Sequence, residues 1–593
     1  MTFSAQLTAA DDFETAVAPL VTTPTASGIP RRFQFASLTE AIDYAATGHT
    51  GLNFYSDRMA LVSTLPYREL RTQAIAVAGK LRGLGLRPGD RVALVAETDA
   101  DFVIAFAACQ YGGLIPVPMP LPLAFGGQDA YVQQIRHMIV EAQASAAMAP
   151  AWVGGWLAQA AEGLELRFCG TAADLAALPE ATFEILPTAP EAVSYLQFSS
   201  GSTRSPAGIT ITHRALMANT LGNAQGGLDV RDGDRCISWL PFYHDMGLVG
   251  FLLTPIVAQL TVDYLATRDF ARRPLNWLRL MNANGGTISY SPSFGYDLCA
   301  KRVSTGQMPE VDLSRWRVAG IGGDMIRPQV LRDFEKAFAP VGFSGTAFVP
   351  SYGLAETTLA MTFCELGRGM RTDRVDSVEL ETRRRAVPAA AANLRQREFM
   401  ICGRVIPGHV FEIRSEGGTL LPERQVGQIF VRGPSLMSGY DRRPAETAAV
   451  LGVDGWLDTG DLGYRIGDEL VITGRSKDLI IVNGRNLWPQ DLEYCAEQVD
   501  NVRPGDVAAF SVENPHADEE QVVVLVQCRS SDPGTRQTLM QSVSATLRKS
   551  YGIAVHVDLV PNNALPLTSS GKLRRGNARK SYLEGTLRLD AAQ

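Results

Sequence analysis

The stretch SYLQFSSGSTRSPAG, residues 194–208, joins a short apolar run to a loop of serine, glycine and threonine. The apolar run predicts a buried strand. Hydroxyl groups donate hydrogen bonds and glycines let backbone N–H groups turn towards an anion, so the loop has the composition of a polyphosphate cradle. It lacks the Walker A pattern GxxxxGK[ST]. A flexible Ser/Gly linker has a similar composition, so the loop alone leaves both interpretations open.

The elements around the loop favour the cradle. THRALMANT, residues 212–220, has helical spacing, and Thr212 is a suitable N-cap. Elsewhere RVALVA (91–96) predicts a buried strand, and residues 99–113 have helical spacing that ends at paired glycines. Further apolar runs predict strands at 235–242, 286–292 and 317–323. Alternating strands and helices predict an α/β fold, with a large N-terminal domain of mixed sheets flanked by helices.

Composition changes divide the chain into three parts. Residues 1–28, rich in Ala, Thr and Pro, predict a loosely ordered lead-in. Short strand patterns with Gly and Asp turns lie before residue 474 and predict a small β-barrel-like subdomain. A smaller α/β unit follows, so we place an N-terminal domain at 29–474 and a C-terminal domain at 475–593. The polar, alanine-rich stretch 367–397 has little core pattern and predicts a surface loop or an insertion.

Charge and cysteine content narrow the function classes. The 593 residues carry 55 Lys and Arg against 62 Asp and Glu, a net charge of −7, which argues against nucleic acid as the main partner. The eight cysteines form no CxxC pair, so a reducing, cytoplasmic setting is expected. The N-terminus lacks the pattern of a signal peptide. The most apolar stretch, from Phe102, is interrupted by Gln, Gly and Pro, so no bilayer span is expected.

The segment SYGLAETT, residues 351–358, combines a tyrosine, a glycine turn and a carboxylate beside a hydroxyl. Glu356 suits Mg²⁺, which takes few protein carboxylates and shares the phosphates of a substrate. A Glu in the first turn of a helix is also common without any function.

The segment GWLDTGDLGY, residues 455–464, places Asp461 beside turn glycines. A carboxylate there can accept two hydroxyl hydrogens, as ribose recognition requires, although a plain hairpin turn fits a bare TGD equally well. A further segment, GRSKDLIIVNGRNLWPQDLE (474–493), carries Arg475 and Lys477 at the inferred domain boundary, where surface charges are also common.

The segment LPLTSSGKLRR, residues 565–575, carries Lys572 after a Ser-Ser-Gly turn. A cation on a mobile turn can reach a carboxylate and a phosphate that are being joined. A solvated basic tail has the same composition.

Together these five segments resemble, in order and spacing, the adenylate-forming superfamily of acyl-CoA synthetases, peptide-synthetase adenylation domains and luciferases. The resemblance covers about residues 30–585. It implies a large N-terminal domain with the active site and a small, mobile C-terminal lid that rotates between two half-reactions. ATP and Mg²⁺ are then expected.

The resemblance assigns a role to each matched residue. Lys572 bridges the carboxylate and the α-phosphate, Glu356 binds Mg²⁺, and His244 lies near the reacting carboxylate. Lys477 takes the hinge position. Tyr352 flanks adenine, Asp461 takes the ribose hydroxyls beside Arg475, Thr357 contacts the α-phosphate, and the Ser/Gly loop holds the β- and γ-phosphates. The residues expected to bind ATP are Ser199, Ser200, Gly201, Ser202, Thr203, Ser351, Tyr352, Gly353, Thr357, Asp461 and Arg475.

Within the superfamily the chain is most similar to the fatty acyl-AMP ligases. STRSPAG has Arg204 and Ala207 where most relatives have Gly and Lys, and these ligases share that change. SWLPFYHDMGLVG (238–250) is similar to their histidine motif, and 367–397 to the insertion that restricts their lid. The implied partners are a fatty acid and either an acyl carrier protein or a carrier domain of a polyketide or peptide synthase. A fatty acyl-CoA ligase and an inactive acyl- or carrier-binding homologue remain alternatives.

Overall fold

A computed structural model of the chain describes residues 26–122, 127–198, 207–304, 306, 308–390, 392–393, 395–482, 485–513, 520–568 and 572–587. The strands up to the end of the N-terminal sheets are β1 (Gly51–Tyr55), β2 (Leu61–Pro66), β3 (Arg91–Val95), β4 (Ile115–Met119), β5 (Ala144–Met148), β6 (Phe168–Gly170), β7 (Val193–Phe198), β8 (Gly208–Thr212), β9 (Arg235–Ser238), β10 (Thr261–Leu265), β11 (Ile288–Ser291), β12 (Val318–Ile321), β13 (Phe348–Gly353), β14 (Ala360–Phe363), β15 (Thr372–Asp376), β16 (Gln396–Met400), β17 (Arg404–Val405), β18 (Val410–Arg414), β19 (Gly427–Arg432), β20 (Gly439–Tyr440), β21 (Leu457–Ile466) and β22 (Glu469–Arg475). The C-terminal strands are β23 (Ile480–Val482), β24 (Arg485–Leu487), β25 (Val507–Glu513), β26 (Glu520–Gln527) and β27 (Val555–Val560).

Helices cover these sheets. They are α1 (Leu38–Ala45), α2 (Tyr67–Gly83), α3 (Ala100–Tyr111), α4 (Gln128–Glu141), α5 (Gly154–Ala161), α6 (Ala172–Ala176), α7 (His213–Leu221), α8 (Thr254–Val257), α9 (Thr267–Arg272), α10 (Leu275–Asn284), α11 (Ser293–Ser304), α12 (Pro328–Phe338), α13 (Ser377–Arg383), α14 (Pro444–Ala448), α15 (Pro489–Ala496), α16 (Pro533–Tyr551) and α17 (Arg575–Leu583). Among the described residues, no helix is both long and apolar enough to cross a bilayer.

Two sheets with parallel centres form most of the N-terminal domain. One has nine strands in the order β17-β14-β13-β12-β11-β9-β10-β1-β2, with β13 to β1 parallel and antiparallel pairs at both edges. The other has four parallel strands, β4-β3-β5-β6. Parallel strands covered by helices require apolar side chains on both faces, which is why β3 and β9 are short apolar runs in the sequence. The predicted α/β class with mixed sheets is confirmed.

The predicted local signals are also present. The side chain of Asp99 caps α3 by accepting a hydrogen bond from Phe102 N, and α3 ends at Gly112. Thr212 caps α7 by accepting one from Ala215 N. β18, β19, β21 and β22 form a four-stranded antiparallel sheet at the end of the N-terminal part.

For 367–397 the sequence predicts a surface loop or an insertion, and the surface loop is wrong because the segment contains a strand and a helix. That the segment is an insertion stays a prediction. β15 pairs antiparallel with β16, from Thr372 opposite Met400 to Asp376 opposite Gln396, and α13 follows β15. The apolar residues of the segment are spaced singly, so no periodicity reveals them in the sequence. They become buried only when the segment packs against Phe399 and Tyr464. These buried residues are Val375, Leu380 and Ala386.

The C-terminal part is a small layer of strands and helices. β25 and β26 are antiparallel, β26 and β27 are parallel, and α15, α16 and α17 pack on this sheet. The last N-terminal strand, β22, ends at Arg475, and a single 3₁₀ turn, Ser476–Asp478, leads into the new unit. Its hydrophobic core includes Val524, Val543 and Leu547, all fully buried.

Candidate active site

Strands β7 and β8 hold the two ends of the Ser/Gly loop next to each other. They are antiparallel, and Phe198 pairs with Gly208, so the loop leaves and re-enters the sheet at neighbouring positions. The predicted phosphate-binding residues Ser199, Ser200, Gly201, Ser202 and Thr203 lie outside the described residues.

A short third strand connects this loop base to the predicted cation ligand. β20 pairs with β8, with Tyr440 opposite Ile209, and the Tyr440 hydroxyl donates to Glu356 Oε1 at 3.0 Å. The Glu356 carbonyl accepts from Met437 N at 2.8 Å. Partial burial raises the pKa of the Glu356 carboxyl. No local sequence pattern points to Tyr440, because its contact with Glu356 depends on strand pairing between distant parts of the chain.

Glu356 lies in a 3₁₀ turn, Ala355–Thr357, directly after β13. Thr357 is fully buried, and its hydroxyl donates to Leu354 O at 2.8 Å. Its hydroxyl therefore stabilises the turn that presents Glu356. The predicted contact of Thr357 with the α-phosphate stays a prediction. Gly353, before the turn, has no room for a side chain, because a Cβ there would lie 1.9 Å from Leu359 O.

Tyr352, Asp461 and Arg475 form a connected polar group. The Tyr352 hydroxyl donates to Asp461 Oδ2 at 2.8 Å, and Arg475 Nε lies 3.1 Å from Asp461 Oδ1. Asp461 pairs with Arg475 across β21 and β22, while Tyr352 comes from β13. The side chain of Ser351, next to Tyr352, donates to Ile321 O at 3.3 Å. Three sequence segments that were predicted separately therefore converge here.

His244 follows β9 in a turn that β7 supports, since Gln197 Nε2 donates to the carbonyl of the preceding Tyr243 at 2.8 Å. His244 Nδ1 lies 2.7 Å from Asp245 Oδ1. Burial raises the pKa of Asp245, but the charges of His244 and Lys572 outweigh it, and the net pKa is lowered. Asp245 is therefore held ionised beside the histidine. The sequence analysis did not single out Asp245, although it directly follows His244 in the motif.

Lys572 reaches this site from the C-terminal unit. Burial lowers the pKa of its ammonium group, and the carboxylates of Asp245 and Asp324 oppose that effect. Asp324 accepts hydrogen bonds from Ser293 N at 3.3 Å and Ser293 Oγ at 3.1 Å. The charges of Asp461 and Arg475 also act on the lysine, so the structure brings it near groups that no sequence spacing places together. Lys477, by contrast, lies exposed on the turn between the two units.

The electrostatics of the cleft suit a reaction between anions. Lys572 and Arg475 supply positive charge, and Asp461 offers a carboxylate that is already oriented by two donors. Among the described residues, no group of three His, Cys, Asp or Glu side chains is placed to hold a metal by itself. Glu356 fits a cation whose remaining ligands come from a substrate and water, as Mg²⁺ commonly takes them.

Comparison with known proteins agrees with this geometry. Residues 50–441 match the family of AMP-binding enzymes. A Caulobacter vibrioides protein named as a candidate acyl-CoA synthetase is 52% identical over 572 residues, covering 96% of this chain and 99% of that protein. The long-chain-fatty-acid–AMP ligase FadD32 of Mycolicibacterium smegmatis is 32% identical over 594 residues, covering 91% of this chain and 92% of that protein. A solved structure from studies of the fatty acyl-adenylate ligases of E. coli and L. pneumophila is 43% identical with a TM-score of 0.89, covering 94% of this chain and 99% of that chain.

The chain belongs to the family of AMP-binding enzymes, which are adenylate-forming ligases. Within that family it groups with the fatty acyl-AMP ligases, as the sequence resemblance predicted. Its reaction is the ATP-dependent conversion of a carboxylic acid to an acyl adenylate.

Proposed function

We propose that the protein activates a fatty acid as its acyl adenylate and passes the acyl group to the phosphopantetheine thiol of an acyl carrier protein. The observation that carries the first half is the position of Lys572 among Asp245, Asp324, Asp461 and Arg475. The names of two similar proteins, which are fatty acyl-AMP ligases, support the choice of acid.

In the first step a carboxylate oxygen attacks the α-phosphorus of ATP, and the bond to the β-phosphate oxygen breaks to release pyrophosphate. Both partners are anions, so positioning and positive charge matter more than a general base. Lys572 neutralises the carboxylate and the α-phosphate as they approach. His244 lies near the reacting carboxylate, and Asp461, with Tyr352 and Arg475, holds the ribose hydroxyls.

The polyphosphate is assigned to the stretch 199–203, at the end of β7, by its composition and by the resemblance. The Glu356 carboxylate, which accepts a hydrogen bond from the Tyr440 hydroxyl, would hold Mg²⁺ together with phosphate oxygens of the substrate. When bound, Mg²⁺ neutralises charge on the phosphate oxygens of ATP. In the second step the thiol sulfur attacks the acyl carbon and AMP leaves.

Contacts between the insertion and the C-terminal unit support a carrier protein as acceptor. Arg485 places Nη2 at 2.6 Å and Nε at 3.0 Å from Glu381 Oε2, and Asn486 Nδ2 donates to the Glu381 carbonyl at 2.7 Å. Arg397 lies 4.5 Å over the ring of Trp488 and 2.9 Å from Asp491. We propose that these contacts limit the lid rotation that would admit CoA.

An acyl-CoA ligase is the second candidate, because the Caulobacter vibrioides relative at 52% identity is named as an acyl-CoA synthetase. The two functions share the first step and differ only in the thiol that accepts the acyl group.

One experiment separates them. The protein is incubated with ATP, Mg²⁺ and fatty acids of increasing chain length, with no acceptor, with CoA, or with a carrier protein in its phosphopantetheinylated form. We expect acyl-AMP in every case and acyl transfer to the carrier but not to CoA. The carrier without phosphopantetheine is the control. If acyl-CoA formed as efficiently as the acylated carrier protein, the proposal would be contradicted. If no acid gave acyl-AMP, an inactive homologue would be favoured.

A further inference from the structure

Lys572 lies on a short hairpin whose own hydrogen bonds do not fix the direction of the lysine side chain. Thr568 N donates to Lys572 O at 2.7 Å, and Lys572 N donates to Thr568 Oγ1 at 2.9 Å. One residue further out, Leu567 and Leu573 form an antiparallel bridge. A two-stranded hairpin is marginally stable by itself, so the direction of the lysine depends on what holds the hairpin to the rest of the lid.

Arg575, three residues after the lysine, holds that hairpin at its base. Its Nε and Nη2 each lie 2.7 Å from one carboxylate oxygen of Glu493, and its Nη1 donates to Asp478 Oδ2 at 3.0 Å. Burial lowers the pKa of the guanidinium, but the charges of Glu493 and Asp478 outweigh that effect and raise it. The guanidinium group therefore stays charged and makes three hydrogen bonds to the two carboxylates.

The two carboxylates are themselves fixed in different parts of the lid. Glu493 is 4% exposed on α15, and its Oε1 also accepts from Ala509 N of β25 at 3.1 Å. Asp478 ends the turn that follows Arg475 and leads from the N-terminal sheets into the lid. Arg575 thus links the lysine hairpin both to the lid core and to the connection between the two units.

Helix stability does not account for this residue. Arg575 is the first residue of α17, where the positive end of the helix dipole disfavours a cation. The same helix has Arg579 one turn further on, exposed to solvent. An arginine at the unfavourable position is explained by its carboxylate partners, whose planar geometry a guanidinium matches with two parallel bonds.

We propose that Arg575 is a positioning residue for adenylation: by joining Glu493 and Asp478 it fixes the hairpin so that the Lys572 ammonium group reaches the reacting carboxylate and α-phosphate. The inference rests on the proposed role of Lys572. A displacement of about 1 Å in a reacting group can lower a rate about a hundredfold, so a loosened hairpin lowers the rate of the chemical step.

The test measures pyrophosphate release with saturating ATP and fatty acid for the full-length protein. We expect Arg575→Met to lower kcat by about tenfold to a hundredfold, with little change in the KM for ATP. Arg575→Lys keeps the charge but loses the parallel bonds, so its loss is smaller. The matched control is Arg579→Met, which removes the same charge from an exposed site on the same helix and leaves kcat at the parent value.

Two further variants separate positioning from folding. Arg575→Met leaves two carboxylates without their cation, so its thermal unfolding is measured beside the parent. If it does not fold, Glu493→Gln decides, because Gln keeps the shape and can still accept from Ala509 N; a several-fold loss of kcat is expected there. The double variant Lys572→Ala/Arg575→Met is expected to be no slower than Lys572→Ala alone.

Three results would overturn the inference. The first is a kcat at the parent value for a folded Arg575→Met variant. If Arg575→Met does not fold, a kcat at the parent value for Glu493→Gln would have the same meaning. A double variant whose losses multiply would show that Arg575 acts independently of the lysine. A Lys572→Ala variant that adenylates at the parent rate would remove the role of Lys572 itself, and the failure would then lie in the proposed mechanism and not in the contacts of Arg575.

Discussion

At the scale of single residues, hydrogen bonds from distant parts of the chain orient the carboxylates of the candidate site. Asp461 is held by Tyr352 and Arg475, so its carboxylate would already be oriented for the ribose hydroxyls that we propose it binds. Such orientation lowers the entropy lost on binding. Glu356 is held in the same way by Tyr440 and by the turn that Thr357 stabilises.

Asp461→Asn tests the assigned ribose contact. A hydrogen bond to a charged group contributes about 1.5–3 kcal/mol, so we expect kcat/KM for ATP to fall by about tenfold to a hundredfold. Tyr352→Phe removes one of the two donors that orient the carboxylate and is expected to have a smaller effect. Steady-state kinetics with varied ATP measures both. An unchanged KM for ATP in Asp461→Asn would assign the ribose to other residues.

The ionisation of Lys572 should limit the reaction at alkaline pH. Burial lowers the pKa of the ammonium group, so Lys572 loses its proton at a lower pH than an exposed lysine would. Adenylation loses its cation at that same pH. Asp324 opposes this shift, so Asp324→Asn should move the alkaline fall in rate to lower pH. The pH profile of acyl-AMP formation measures the change. Lys572→Arg is the control, since a guanidinium stays charged beyond about pH 12. An identical alkaline fall in parent and Lys572→Arg would exclude the lysine as its source.

At the scale of elements, the insertion is a structural component of the lid contact. β15 and α13 pack on the sheet of β21 and β22 with their few apolar residues. Glu381 on α13 and Arg397 on β16 then contact the C-terminal unit. Deleting 367–397 would also leave β16 without its partner strand and expose Phe399. Single substitutions at the contact therefore test the restraint more cleanly than a deletion does.

Glu381→Gln should loosen the lid without disturbing the fold of the insertion. The variant loses the charge that binds Arg485, while its backbone carbonyl still accepts from Asn486. We expect acyl-CoA formation to rise several-fold over the parent, and adenylation to change little. Glu379→Gln on the same helix is the matched control, because Glu379 pairs with the exposed Arg383 and not with the lid. If both variants leave CoA transfer unchanged, the Glu381 contact does not set the choice of acceptor.

At the scale of the whole molecule, the site lies between two units that each have their own core. Lys572 comes from the lid, and its charged neighbours come from the N-terminal domain. On the proposed function, an acyl adenylate at this site would contact both units, and so it would stabilise their contact as well as the site itself.

A non-hydrolysable acyl-adenylate analogue should therefore raise the unfolding temperature. A ligand at a hundred times its Kd adds about 2.7 kcal/mol to the stability of the state that binds it. We expect the increase measured by calorimetry to be larger for the analogue than for AMP alone, and smaller in Asp461→Asn. An analogue that leaves the parent unfolding temperature unchanged at saturating concentration would contradict a shared site.

Sequence alone determined the α/β class, the positions of β3, α3, β7 and α7, and the adenylate-forming family, because these depend on local periodicity, caps and short motifs. It also pointed to candidate site residues, and three of these, Tyr352, Asp461 and Arg475, lie together in the structure. Only the tertiary structure decided their partners: Tyr352 meets Asp461 across 109 residues, and Lys572 meets Asp245 and Asp324 from another unit. It turned Thr357 inward and gave the insertion a core. Contacts between distant segments depend on how sheets and units pack, and no local pattern encodes that.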